Sequence, residues 1–309
     1  MFFVTGPMTT HPHPTQRHLP ALARNFSRGS LPTLFILVLL LGALAACGPS
    51  STSGQKTPTP ANSPTPAPTA TPSGPQGLVA LSPELAAYAS QQGNAMGVAI
   101  YDLTRDRQYT YNGDAAFILA SSSKVYILCA YLDMLEQQGR GPNATERAEM
   151  TAMITQSDNN AAQYLFDKLG RVTGQKAYLQ KLGITGYVAP STSERDWGYA
   201  QLSANGMVRM FMLLQTGQTL NADDRALALD LLGRVDLGRW GVGTKAPAGA
   251  KVYMKDGWVT GPDDLWYQSS SGIVVTSGET YVISVYSRQK NYDWSKVEHV
   301  CDLAAKSLV

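Results

Sequence analysis

Ser121-Ser122-Ser123-Lys124, Ser157-Asp158-Asn159 and Lys255-Asp256-Gly257 follow one another along this chain of 309 residues. Together they offer a nucleophile, two kinds of proton carrier and a cation, the set that acyl transfer through serine requires. A serine and a lysine three positions apart share one helix face. A lysine desolvated against a protein core can lose its proton near neutral pH and accept the one on the serine hydroxyl. The spacing S-x-x-K also occurs at Ser53 to Lys56 and Ser287 to Lys290, so context must choose. Ser53 lies in a Pro/Thr/Ser-rich stretch that cannot hold a rigid site, and Ser287 follows the strand-like run Tyr281 to Tyr286 at an expected surface turn. Only Ser121 opens a helix. The run Val125 to Leu135 is apolar nearly all round, which marks a buried helix whose N-terminal dipole would favour an oxyanion beside Ser121. Taken alone, Ser121 as a helix cap with a snorkelling Lys124 reads equally well, as does Ser157-Asp158-Asn159 as a turn and cap between helices.

The histidines narrow the choice. Three of the four, His11, His13 and His18, precede an apolar N-terminal run, and His299 falls in the C-terminal helix. A Ser-His-Asp triad therefore has no histidine in place, and a serine nucleophile here must use lysine or a carboxylate as base. Cys47, Cys129 and Cys301 have no metal-ligand spacing, so neither a metal nor a cofactor is expected. A net charge of +2 with no basic stripe and no glycine-rich phosphate loop argues against nucleic-acid or nucleotide binding.

The elements that must position these residues divide the chain into three parts. Residues 1–46 read as an export signal: Arg17, Arg24 and Arg28 precede the apolar run Leu34 to Leu44, which is short for a membrane span. Residues 47–76 are mostly Thr, Pro, Ser, Ala and Gly with the single charge of Lys56, a semi-extended tether with a reach on the order of 90 Å. Residues 77–309 are long enough for one large domain. There Ser82-Pro83 marks a helix start, and Met96 to Leu103 with Gln108 to Asn112 reads as a hairpin. Helices are expected over Ala144 to Gln156, Asn160 to Leu169, Thr173 to Leu182, Ser203 to Thr216 and Ala222 to Val235. Strands follow over Val252 to Trp258, Trp266 to Thr276 and Thr280 to Ser287, then a helix over Trp294 to Leu308. Strands at both ends with helices between predict an α/β fold of the α+β type. It has a five-stranded antiparallel sheet made from both termini, flanked by helices, with an all-helical subdomain inserted and a cleft between the two.

The ordered motifs resemble S-x-x-K, S-D-N and K-T-G of the class A β-lactamase and penicillin-binding protein superfamily, and the resemblance extends over everything after Leu78. It implies a β-lactamase/transpeptidase-like fold and a cofactor-free serine hydrolase. Ser121 would be the nucleophile, Lys124 its base, Ser157 a proton shuttle, Asn159 a clamp on the substrate amide and Lys255 the cation, with Gly257 beside it. Backbone N–H groups of Ser121 and Trp258 would form the oxyanion hole, and the Trp258 ring is expected to border the cleft. Leu44-Ala45-Ala46-Cys47 resembles a lipobox, implying cleavage before Cys47 and a diacylglycerol anchor on its sulfur. The implied protein is a monomeric, extracytoplasmic lipoprotein on a bacterial membrane, acting on a β-lactam or a peptidoglycan peptide.

Three departures from the family pattern qualify the substrate. The stretch from Ser121 to Ser157 is short, which trims one wall of the cleft. Asp256 stands where the family has Thr or Ser, whose hydroxyl donates to a substrate carboxylate; an ionised aspartate facing that place would repel it. The E-x-x-L-N pattern, whose glutamate activates the deacylating water, is missing; Ser193-Glu194-Arg195-Asp196 offers Glu194 as a substitute base. A D-alanyl-D-alanine carboxypeptidase or esterase on the same scaffold, or a cell-wall-sensing lipoprotein that does not turn over, are the alternatives. Cys129 and Cys301 are expected as buried small hydrophobes.

Overall fold

The computed structural model describes residues 76–190 and 197–308. The export signal and the tether up to residue 75, Cys47 included, lie outside the described residues, as do Glu194, Arg195 and Asp196.

A two-residue strand β1 (Gln76–Gly77) leads into α1 (Pro83–Gln92), where the Ser82 hydroxyl accepts the Leu85 N–H at 3.2 Å and Pro83 takes a position that needs no donor. The hairpin follows as β2 (Met96–Asp102) and β3 (Arg107–Tyr111), and then a short strand β4 (Ala116–Ile118). A 3-10 turn over Ala120–Ser123 enters α2 (Lys124–Gln137), which is buried along most of its length, as its unbroken apolar pattern requires. Next come α3 (Ala144–Thr155), α4 (Asn159–Lys168) and α5 (Arg171–Lys181). The start of α3 is fixed by a capping box between Asn143 and Glu146, that of α4 by Asp158 accepting the Ala161 N–H at 2.8 Å. Strand β5 (Gln201–Ser203) pairs with β4, and α6 (Ala204–Gln215), α7 (Ala222–Gly233) and the single turn α8 (Val242–Lys245) complete the middle of the chain. Strands β6 (Lys251–Thr260), β7 (Trp266–Val275) and β8 (Thr280–Gln289) then return to the sheet before α9 (Ser295–Leu308).

The sheet order is β1-β3-β2-β8-β7-β6. Its five long strands are antiparallel, as expected, and β1 adds two residues in parallel beside β3. The sheet is closed between the N- and C-terminal halves, with Met96 opposite Ser287 and Asp102 opposite Tyr281. Every residue of β2 is buried, which fits a central strand covered on both faces. One face packs on α2 and the helical middle of the chain, through Ala99, Tyr101, Val282 and Tyr286. The other packs on α1 and α9 through Val98, Ile100, Ile283, Val297 and Val300.

Two details depart from the sequence reading and one agrees with it. β8 runs on to Gln289, so Ser287 is buried inside a strand and not at a surface turn. The β4–β5 pair and α8 are too short for a periodic signal. Cys129 and Cys301 are both buried free thiols, as expected of small hydrophobes.

Candidate active site

The Ser121 turn is wedged between α2 and the edge strand β6. Three features hold it there. Ala120, just before the nucleophile candidate, has φ +48°, a left-handed conformation that an alanine adopts only when its surroundings impose it. The Ser122 hydroxyl meets that of Ser269 on β7 at 2.7 Å, while Ser123 Oγ donates to Ala120 O at 2.7 Å. Gly257 lets β6 approach: a Cβ there would stand 2.3 Å from Leu119 O, 2.7 Å from Ser122 N and 2.9 Å from Ser121 N. Any side chain at 257 would pry the strand from the turn. The glycine of the third motif is thus explained by contact with the first.

Lys124 is the hub. Its side chain is fully buried, and Nζ donates to Ser121 Oγ at 3.1 Å, Ser157 O at 2.6 Å, Ser157 Oγ at 3.0 Å and Asn159 Oδ1 at 2.8 Å. Ser157 presents both its carbonyl and its hydroxyl to Lys124 because its backbone is left-handed, with φ +54°. Burial pushes the Lys124 ammonium down to about 6, with the positive charge of Lys255 adding to the effect and Asp158 opposing it. As a neutral amine it has two N–H groups for the carbonyl oxygens of Ser157 and Asn159, and a lone pair left for a hydroxyl proton. Ser121 is half-buried and Asn159 exposed, so the cluster opens to solvent at the nucleophile.

Residues 255 and 256 occupy opposite faces of β6, as successive strand residues must. Lys255 is wholly buried, and its Nζ donates to Asp256 O at 3.0 Å. Asp256 corrects the sequence reading. Its side chain is also wholly buried, with Oδ2 accepting the Trp240 N–H at 2.7 Å on the side of α9, so it does not meet the cleft. Burial drives this pair toward the neutral forms, lowering the lysine and raising the aspartate against their mutual attraction. The Trp258 ring, expected to border the cleft, projects the same way as Asp256. It meets Trp240 at 5.1 Å and Trp294 at 6.3 Å between centroids.

The structure therefore brings Ser121, Lys124, Ser157 and Asn159 into direct contact and sets Gly257 against them, with Lys255 near enough to act on Lys124 electrostatically. It turns the side chains of Asp256 and Trp258 away. His299 packs edge-on against Tyr88, on α1, and takes no part. One residue escaped the sequence reading. Trp197, buried in a 3-10 turn over Trp197–Tyr199, places its ring centroid 4.9 Å from Lys124 Nζ. No motif surrounds it, and only its nearness to the Ser193-Glu194-Arg195-Asp196 segment hinted at a place near the site.

Comparison with known proteins agrees with this geometry. A family model described as the beta-lactamase enzyme family matches residues 80–149 and 141–308. No curated protein matches the chain. Among solved structures, the TLA-1 extended-spectrum β-lactamase is 16% identical with a TM-score of 0.66, covering 75% of this chain and 99% of that one. A β-lactamase from Chitinophaga pinensis is 21% identical with a TM-score of 0.64, covering 74% and 97%. PBP-A, also 21% identical with a TM-score of 0.64, covers 75% and 97%. These structures share the fold; with the family model spanning the motifs and the sheet from α1 to α9, the chain belongs to the beta-lactamase enzyme family.

Proposed function

We propose that this protein is a serine hydrolase that opens β-lactam or related amide bonds through an acyl-Ser121 intermediate. The observation that carries the reading is the 3.1 Å contact between Ser121 Oγ and a Lys124 amine that burial has stripped of most of its proton affinity. Ser121 Oγ attacks the carbonyl carbon as its proton passes to Lys124 Nζ. The tetrahedral oxyanion collapses, the C–N bond breaks, and the Ser157 hydroxyl relays the proton from Lys124 to the leaving nitrogen. Water then cleaves the ester and returns the enzyme. Lys255 supplies positive charge close to Lys124, and Asn159, held by Lys124, orients the substrate amide.

A carboxypeptidase acting on acyl-D-alanyl-D-alanine is the second reading, favoured by the missing E-x-x-L-N pattern and by the likeness to PBP-A. The lipobox-like Leu44-Ala45-Ala46-Cys47 supports an enzyme tethered outside the cytoplasm through Cys47. Intact mass after incubation with a β-lactam panel and with acyl-D-Ala-D-Ala peptides tests both readings. An adduct on Ser121 is expected, absent from Ser121→Ala and retained in Ser287→Ala. Steady release of opened lactam supports the first reading, and release of D-alanine the second. An adduct that persists in Ser121→Ala overturns the assignment.

A further inference from the structure

The segment between α7 and β6 crosses from the helical region to the sheet and is tied down at both ends. At the helical end, the N–H groups of Asp236 and Leu237 both donate to Thr155 O, at 3.0 and 3.1 Å, and Gln156 Nε2 donates to Asp236 Oδ2 at 3.2 Å. These anchors stand immediately before Ser157. At the sheet end, Trp240 N–H donates to Asp256 Oδ2 at 2.7 Å. Ser270 Oγ donates to Trp240 O at 3.4 Å and accepts the Val242 N–H at 3.0 Å. The Trp240 ring stacks on Trp294 at 4.9 Å and meets Trp258 edge-on. There is little slack between the two ends. Gly238 has φ +75°, and a Cβ on it would meet the Trp258 ring at 2.7 Å.

We propose that Asp256 is a positioning residue: through Trp240 it fixes the 236–240 strap and so sets the separation between the Ser157 turn and the Lys255 strand. Two observations beyond the strap itself support this. A carboxyl group with no exposure to water carries a desolvation cost, and Asp256 Oδ1 has no hydrogen-bond partner, so the bond from the Trp240 N–H is set against a penalty that an apolar side chain would not incur. Lys255 and Gly257, its two neighbours on β6, are the residues that address the Ser121 turn, so a shift of the strand at Asp256 moves the cation and the turn together. The position that the sequence comparison reads as a substrate contact thus works from behind the strand. The catalytic consequence rests on the acyl-serine reading above; the anchor itself does not.

The test compares Asp256→Ala, Asp256→Asn, Gly238→Ala and the double variant Asp256→Ala/Gly238→Ala. The probe is p-nitrophenyl acetate, a neutral acyl donor, so that no substrate carboxylate enters. Ser121 acetylation is followed by p-nitrophenolate release and intact mass, with thermal melting to establish folding. Misplacement by a fraction of an ångström predicts a 10- to 100-fold lower acylation rate at saturation in Asp256→Ala, with KM changed less than about 3-fold. Asp256→Asn, which keeps an acceptor for the Trp240 N–H, recovers most of that loss. Gly238→Ala reproduces it by displacing Trp258, and the double variant is no slower than the slower single, because both act on one strap. Tryptophan emission shifts in Asp256→Ala and Gly238→Ala and returns toward wild type in Asp256→Asn. The proposal is overturned if folded Asp256→Asn is as slow as Asp256→Ala, if the two losses add, or if emission is unchanged in Asp256→Ala. If the wild type is not acetylated at Ser121, the acyl-serine reading fails, and the emission comparison still decides whether Asp256 anchors the strap.

Discussion

The two faces of β6 at residues 255 and 256 carry a lysine and an aspartate that are both wholly buried and both driven toward their neutral forms, yet one neighbours the Ser121 turn and the other a tryptophan cluster. On the Lys255 face the neighbours are the serines of the Ser121 turn and, beyond them, Lys124, polar groups that can exchange protons. On the Asp256 face they are Trp240, Trp258, Trp294 and α9, which cannot. The difference teaches that burial alone does not mark a functional ion. What separates the pair is whether the buried group borders the solvent-reachable Ser121 turn.

The comparison can be broken most sharply on the Lys124 side. Replacing Lys124 by arginine puts a permanently charged guanidinium where the wild type holds a largely neutral amine and removes the group able to accept the Ser121 proton, so acylation should fall on the order of 100- to 10,000-fold, the usual cost of losing a general base. In the wild type the neutral amine is the active form. Its affinity is pushed down to about 6, so the acylation rate should climb as pH rises through that value and level off above it. Single-turnover rates across pH would sink the base assignment if they were flat through this window, or if the arginine variant kept its rate.

A smaller effect is expected at Lys255. Changing it to methionine fills a similar volume and removes the cation beside Lys124, so acylation should drop about 10- to 100-fold. Stability should hold or rise, because a desolvated cation has been replaced by an apolar chain. A melting temperature that falls sharply while the rate survives would mean that Lys255 is structural and that the two faces are alike.

The smallest change sharpens the contrast. In Asp256→Thr the new hydroxyl faces Trp240 and α9, so the rates for carboxylated lactams and for neutral esters should fall together and their ratio should stay within about 3-fold of wild type. A selective gain for carboxylated lactams, measured by kcat/KM on the two substrates, would return Asp256 to the cleft and erase the distinction between the faces.

Much of this was legible in the sequence because local signals agreed with the fold. Ser82-Pro83, the Asn143 to Glu146 capping box and Asp158 place helix starts to within a residue or two, and the long β-branched and aromatic runs mark β6, β7 and β8. The contact between Ser121 and Lys124 follows from their spacing on one turn, and that between Lys124 and Ser157 from the order of the motifs. The orientation of Asp256 did not follow, because β6 is buried on both faces over this stretch and its residues show no alternation from which a facing could be read. Ser287 was misplaced for a related reason: β8 continues three residues past the apolar run, held by pairing with β7 and not by its own propensity. Trp197 and the backbone strain at Ala120 and Ser157 are products of tertiary assembly, with no local signature to find.

The pairing of Met96 with Ser287 has a consequence for how the enzyme comes into being. A contact between segments so far apart closes a loop spanning most of the domain, which costs chain entropy before any strand contact offsets it and makes for slow, late sheet formation. The ribosome must deliver nearly the whole polypeptide before β2 can find β8, and β6, which completes the site, is held in the sheet only through β7. The nascent chain therefore carries Ser121 and Lys124 for much of its synthesis while the strand that packs against their turn does not yet exist.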